Sequence, residues 1–283
     1  MIDMIIQLPG PIFLVYFTFL STFCITIGWL WIRADSSIRY PLPELTCLNP
    51  FEIAALRDGY RGVIQIALFN LWNSSLITST GKGNALQIRR INSSSHQPEN
   101  EIEEILYQFA SIKRKPADFF LDPGVLSRID KHIKYINYTL EKLHLKRTHS
   151  QLTRSWLALW ITLFIILSLG GIKLYFEIIL GDSVEFIMII IALLVILTLN
   201  VLTPSQQSQL GYLYQKKLAK HFEWLKTENN SDINSSLRVA IFGIQALAGS
   251  PLIAGFEQVF GKSSVNIDSN YGRSPNGGGY GSN

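Results

Sequence analysis

The sequence predicts a mainly α membrane protein. It has three transmembrane helices, one N-terminal and two forming a C-terminal hairpin, with a helical, winged-helix-like cytoplasmic module between them. Three observations carry this expectation. Hydrophobic residues make up 48% of the 283 and charged residues only 16%, where a soluble domain carries about 25% charged, and mean hydropathy is +0.22. The apolar residues gather in three uncharged stretches of spanning length. A polar segment long enough to be a domain separates the first stretch from the other two.

No charged residue occurs from Met4 to Ile32, and Pro11–Ile32 supplies 22 residues rich in Phe, Leu and Ile, close to the ~20 needed to cross ~30 Å of hydrocarbon. The start MIDMIIQ has Asp3 and no Lys or Arg, and no small-x-small site follows the run. It therefore reads as an uncleaved anchor rather than a signal peptide. Residues 1–10 form a tail, 11–32 the first span, and 33–47 a spacer stiffened by Pro41 and Pro43.

The module occupies 48–153. In LNPFEIAALRDG, Asn49 is placed to cap a helix, Pro50 stands at its first position, Glu52 completes a capping box and Gly59 stops it. YRGVIQIALFNLWNSS follows as a second helix, and LITST, the Gly81-Lys82-Gly83-Asn84 turn and ALQIRRI form a hairpin. Helix, helix, hairpin is the order of a winged-helix-like unit. A helix at Glu101–Ile112, a break at Pro116–Pro123 and a long helix at about Val125–Leu145 complete it, the last with Ile129, Ile133, Ile136, Leu140 and Leu143 on one face.

The second uncharged stretch lies between Arg154 and Lys173, and the third between Glu185 and Lys216 with its apolar part at Phe186–Leu202. These give spans at 154–176 and 183–203, a hairpin turning through Gly181-Asp182 and closed by Pro204. Their interiors read as free of ionisable side chains, which disfavours transport. Thr198 and Asn200 are expected to make helix–helix hydrogen bonds. Gly170-Gly171 suggests a close helix approach or a fraying helix end. Residues 204–261 read as a membrane-proximal helical region, with Leu237–Phe260 lying against the module or the membrane surface, and 262–283 as a disordered Gly/Ser/Asn-rich tail.

Lys and Arg are retained on the cytoplasmic side. Residues 33–154 hold 17 Lys+Arg against 12 Asp+Glu, and the region past Pro204 holds 7 against 5, whereas the 173–185 turn has Lys173 against Glu177, Asp182 and Glu185. The N-terminus is therefore expected outside, the module and C-terminal region inside, and Trp29, Trp31, Trp156 and Trp160 on one face as an aromatic belt. Five N-x-Ser/Thr sequons carry no weight in that scheme.

The order of a single span, LNPFEIAALRDGYRGVIQIALFNLWNSSLI, further helices, a membrane hairpin and LTPSQQSQLGYLYQKKL resembles a family of uncharacterised bacterial membrane proteins. That family is defined by a conserved domain of unknown function and often has a Gly/Cys-rich C-terminal tail. The resemblance spans roughly residues 1–260. It implies an inner or plasma membrane location and brings no activity. The tail SPNGGGYGSN has the glycines and lacks the cysteines.

Candidate chemistry is sparse. The two cysteines, Cys24 and Cys47, exclude a disulfide framework; Cys47 reads as an ordinary thiol, with acylation the lesser alternative. Gly255 and Gly261 are separated by five residues rather than the four of a phosphate loop, and the Asp118/Asp122, Asp130/His132 and His144/His149 pairs do not form a metal set. No metal, cofactor, small-molecule substrate or catalytic constellation is identified, so the chain is not read as an enzyme. Arg61, Lys82, Arg89 and Arg90 are the nucleic-acid candidates, on a winged unit whose net charge is weakly basic. Lys142, Lys146, Arg147 and Arg154 are the lipid-headgroup candidates, since they abut a span, and Lys113-Arg114-Lys115 is a second basic run. The sequence therefore points to a non-enzymatic membrane-anchored interaction or scaffold module, with membrane lipids and a protein partner or second copy as its contacts. The alternative is a membrane-tethered winged-helix transcription regulator.

Overall fold

The structure, a computed structural model, describes residues 10–34, 36–81, 85–91, 96–180, 184–226, 235–243 and 255–261. In chain order its main elements are α1 (Gly10–Arg33), α2 (Pro50–Asp58), α3 (Tyr60–Asn73), β1 (Ile77–Thr80), β2 (Gln87–Arg90), α4 (Glu101–Phe109), α5 (Asp118–Leu121), α6 (Pro123–Lys142), α7 (His149–Leu180), α8 (Glu185–Leu202), α9 (Gln209–His221) and α10 (Ser235–Phe242). The described residues divide into two compact units, one holding those of 10–36 and 147–206, the other those of 37–146 and 207–261.

The first unit is three helices, α1, α7 and α8, each long and apolar enough to cross a membrane. α1 buries Phe13, Phe17, Ser21 and Ile25 at every fourth residue while Val15, Phe19 and Phe23 stay exposed, the one-sided stripe of a helix packed on neighbours along one face. That stripe meets Ile166 of α7 and Leu194 of α8. A Cβ on Gly170 would lie 2.7 Å from Ile191 Cδ1 and 3.2 Å from Phe17 Cζ, whereas one on Gly171 would meet nothing within 4 Å. Gly170 is thus the residue that lets the helices approach, as small residues do between membrane helices. At the opposite end Gly28 plays the same part, its added Cβ 3.0 Å from Leu202 Cδ1 and 3.3 Å from Thr162 Oγ1.

Two expectations change here. The Thr198 hydroxyl and the Asn200 amide donate to Leu194 O at 2.7 Å and Ile196 O at 2.9 Å, in their own helix; each donor finds the carbonyl one turn back and has no call on a neighbour. α7 runs on past the uncharged stretch to Leu180, so Lys173 and Glu177 lie inside a helix long and apolar enough to cross a membrane rather than in a turn. Both are buried, with Nζ and Oε1 3.6 Å apart, and mutual neutralisation at i, i+4 is what lets the helix continue through them.

The second unit is built around α3, in which every residue from Arg61 to Phe69 is buried. α2 precedes it with the expected capping box, Asn49 accepting from Glu52 N at 2.9 Å and Glu52 accepting from Asn49 N at 2.9 Å. Gly59 ends α2 at φ +63°, a conformation that favours glycine. A Cβ on Gly62 would stand 2.3 Å from Ala54 O, so only glycine permits the α2–α3 contact. β1 and β2 pair antiparallel, Ile77 opposite Arg90 and Thr80 opposite Gln87, and Ile88 exchanges two further backbone hydrogen bonds with Arg114. α5 fills the proline-bounded break and buries Phe119 and Phe120. In α6 Val125, Ile129, Ile136 and Leu140 are buried, the face read from the sequence.

The region after the spans belongs to this same core. Ser208 caps α9 by accepting from Gly211 N at 2.9 Å and donates to His144 O at 2.6 Å. Tyr214 and Leu218 are fully buried. α10 is held by Arg57, whose Nη1 donates to Val239 O and Ala240 O at 2.6 Å each, and Phe256 packs edge-on against Phe69 and Trp72. The expected division between a 48–153 module and a separate 204–261 region is corrected: one apolar cluster contains residues of both. Leu237–Phe260 is described only at 237–243 and 255–260, and there Val239, Ala240, Ile241, Phe256 and Phe260 lie in that cluster. The 262–283 tail lies outside the described residues.

Candidate interaction surfaces

The nucleic-acid candidates do not form one surface. Arg61 is 9% exposed in the most buried helix of its unit, so burial takes it away from any phosphate. Lys82 lies outside the described residues. On β2, Arg89 is exposed and Arg90 lies over the Tyr107 ring at 5.7 Å. In a winged-helix reader the second helix presents a face to the major groove; α3, buried on all sides over nine consecutive residues, has none to present.

The lipid candidates divide in the same way. Lys142, in the last turn of α6, and Arg154, near the start of α7, are exposed. Lys146 is buried and donates from Nζ to Asn137 Oδ1 at 2.8 Å. Loss of hydration lowers its pKa to about 8, against an opposing pull from Glu141. Arg147 is buried and donates from Nη2 to Ile32 O at 3.3 Å, tying the start of the second span to the end of the first. Their burial corrects the expectation that both face headgroups: the charges hold backbone and side-chain acceptors instead. In the second basic run Lys113 and Lys115 are exposed, while the Arg114 guanidinium covers the Phe109 ring at 4.6 Å.

The tryptophans expected to form a belt lie near the C-terminal end of α1 and the N-terminal end of α7. Trp31, Trp156 and Trp160 are exposed, and the Arg33 guanidinium stacks over Trp29 at 4.2 Å. At the other end Lys173 Nζ lies 5.5 Å from the Phe13 ring centroid. The expected span ends at residue 176, between Lys173 and Glu177, because charge normally ends a span; the i, i+4 spacing of the two is the signal that the helix continues.

Two further features are polar without forming a reaction centre. Cys47 is exposed, its Sγ 3.9 Å from Tyr214 Oη, which donates to Glu44 O and Leu45 O at 3.2 and 3.3 Å. Burial, then the Cys47 thiol, raises the Tyr214 pKa above its ordinary value, keeping the phenol protonated. A shallow groove is lined by Pro98, Glu99, Asn100, Glu101, Glu104, Ile105 and His132, with His132 Nε2 3.3 Å from Glu101 Oε2. Among the described residues no group of three or more His, Cys, Asp or Glu side chains is placed to hold a metal ion.

Comparison with known protein families, with curated proteins and with solved structures finds no match. Function is therefore argued from the two units themselves.

Proposed function

We propose that this chain is a non-enzymatic integral membrane protein whose cytoplasmic unit, residues 37–146 with the region after the third span, recruits a protein partner or a second copy to the membrane. The observation that supports it most is the division of the chain into a unit of three helices long and apolar enough to cross a membrane and a second unit with its own apolar core. The N-terminus then lies outside and the module inside, supported by the excess of Lys and Arg in 33–154. The full chain, crosslinked in its own membrane, is expected to give a discrete protein or homodimer adduct through the module. Adducts confined to lipid would remove the reading.

The order α2, α3, hairpin favours a second reading, a membrane-tethered winged-helix regulator. Burial of α3 weighs against it. Titration of the full chain in detergent with duplex DNA at several salt concentrations decides: no binding even at low salt, where phosphate contacts are strongest, eliminates it.

A further inference from the structure

α9 buries Leu210, Gly211, Tyr214 and Leu218 in the core of its unit. Its other face exposes Tyr212, Leu213, Lys216, Lys217 and Lys220, and the turn that follows, Glu223–Lys226, exposes Trp224. Leu213, Lys216, Lys217 and Lys220 are three, four and seven residues apart, the spacing of one helix face. Trp224, Tyr212 and Leu213 are 48%, 46% and 40% exposed, high for an indole, a phenol and an isobutyl group grouped with lysines in a water-facing unit. Among the described residues none of the three lysines makes an ion pair or a hydrogen bond. Among the described residues the one exposed carboxylate near them in sequence is Glu223.

We infer that this face of α9 docks on an anionic membrane surface, with the phosphate headgroups of the bilayer as its ligand. Three features select that occupant. Amphipathic rings beside lysines are the side chains that settle at the headgroup level, the ring inserting and the ammonium pairing with phosphate. Among the described residues the face carries three unpaired cations against one carboxylate, complementary to an anionic leaflet. Only residues 203–208 separate α9 from the end of α8 at Leu202, and at about 3.6 Å per residue the first turn of α9 is never more than roughly 25 Å from the end of the span. That tether holds lipid headgroups near the face at high effective concentration, an advantage no soluble acidic protein shares. The inference rests on the assignment of α8 as a membrane span. Docking would fix one face of the module against the bilayer and leave the remainder for a partner.

The test uses the full chain with Cys24→Ala, Cys47→Ser and Leu213→Cys, labelled with the environment-sensitive fluorophore NBD. It is placed one chain per nanodisc, in phosphatidylcholine alone or mixed with phosphatidylglycerol. The expected result is a blue-shifted emission in the anionic discs only, reversed at about 1 M salt, where the Debye length is ~3 Å. Lys216→Gln, Lys217→Gln and Lys220→Gln together should lower the docking equilibrium roughly a hundredfold, about fivefold for each lysine. The salt arm needs no charge variant, so it stands even if the triple variant fails to fold. Water-like emission in both lipids overturns the inference while leaving the spans in place. A shift that appears only with two chains per disc assigns the face to a second copy and also overturns it. Failure of the chain to enter discs at all instead overturns the spanning assignment on which the inference depends.

Discussion

Replacing Lys173 with Met leaves Glu177 as an unpaired anion on the buried side of α7. The two groups are 3.6 Å apart with side chains 5% and 7% exposed. Coulomb's law at that separation gives roughly 5 kcal/mol for an effective dielectric near 20. Breaking a buried pair by removing one partner costs about 3–5 kcal/mol, because the survivor keeps its desolvation penalty. At ~2–4 °C per kcal/mol for a chain of this size class, Lys173→Met should lower the midpoint for loss of folded monomer by roughly 10 °C. Thermal challenge followed by size-exclusion chromatography of the detergent-solubilised chain measures it. The effect should be asymmetric. Glu177→Gln leaves Lys173 the Phe13 ring at 5.5 Å and a long stem that carries the ammonium toward the helix end, so its loss should be smaller. Replacing both by Met removes both charges and should return stability to within about 1 kcal/mol of the starting protein. A Lys173→Met midpoint unchanged from the starting protein, or a double variant as unstable as the worse single one, would refute the reasoning.

Three predictions concern the module. Gly62→Ala and Gly211→Ala place a Cβ 2.3 Å from Ala54 O and 2.1 Å from Leu145 O, backbone atoms that yield only if the packed segments separate. Chemical denaturation should show each losing about 1–3 kcal/mol, while Gly171→Ala, with nothing within 4 Å, should be neutral or slightly stabilising. Arg57→Ala removes the two hydrogen bonds from Arg57 to Val239 O and Ala240 O in α10, and brief trypsin treatment should then cut after Arg238 faster than in the parent chain. Lys146 has its pKa lowered to about 8 by burial. Between about pH 8 and its ordinary value the unfolded chain binds more protons than the folded one, so stability rises with pH there, and the penalty is fully present below about pH 8. Lys146→Met should therefore be more stable than the parent at pH 7, by an amount that shrinks toward pH 10; a gap independent of pH contradicts this.

The parts of the fold that were legible in the sequence are local ones. Asn49, Pro50, Glu52 and Gly59 specify α2 within ten residues of chain, and the period of Ile129, Ile136 and Leu140 gives α6 its buried face. What escaped was carried by pairing over distance. Arg57 meets Ala240 across 183 residues and Tyr214 meets Glu44 across 170, so nothing local marks the C-terminal region as part of the module core. The candidate cations are expected to meet nucleic acid or lipid headgroups, yet Arg61, Lys146 and Arg147 are buried, where acceptors such as Asn137 and the Ile32 carbonyl replace water. The end of the second span was missed because one charge reads as a boundary, whereas a charge paired one turn on does not.

The most direct test of the central claim, three spans with the module on one side and the α7–α8 connection on the other, is labelling of single cysteines by a membrane-impermeant maleimide. Cys47 is a natural exposed thiol in the module, and Asp182→Cys with Cys24→Ala and Cys47→Ser reports the connection. The account predicts that Cys47 is protected in intact cells and labelled only after permeabilisation, whereas the cysteine at 182 is labelled in intact cells. Labelling of both from the same side would contradict it.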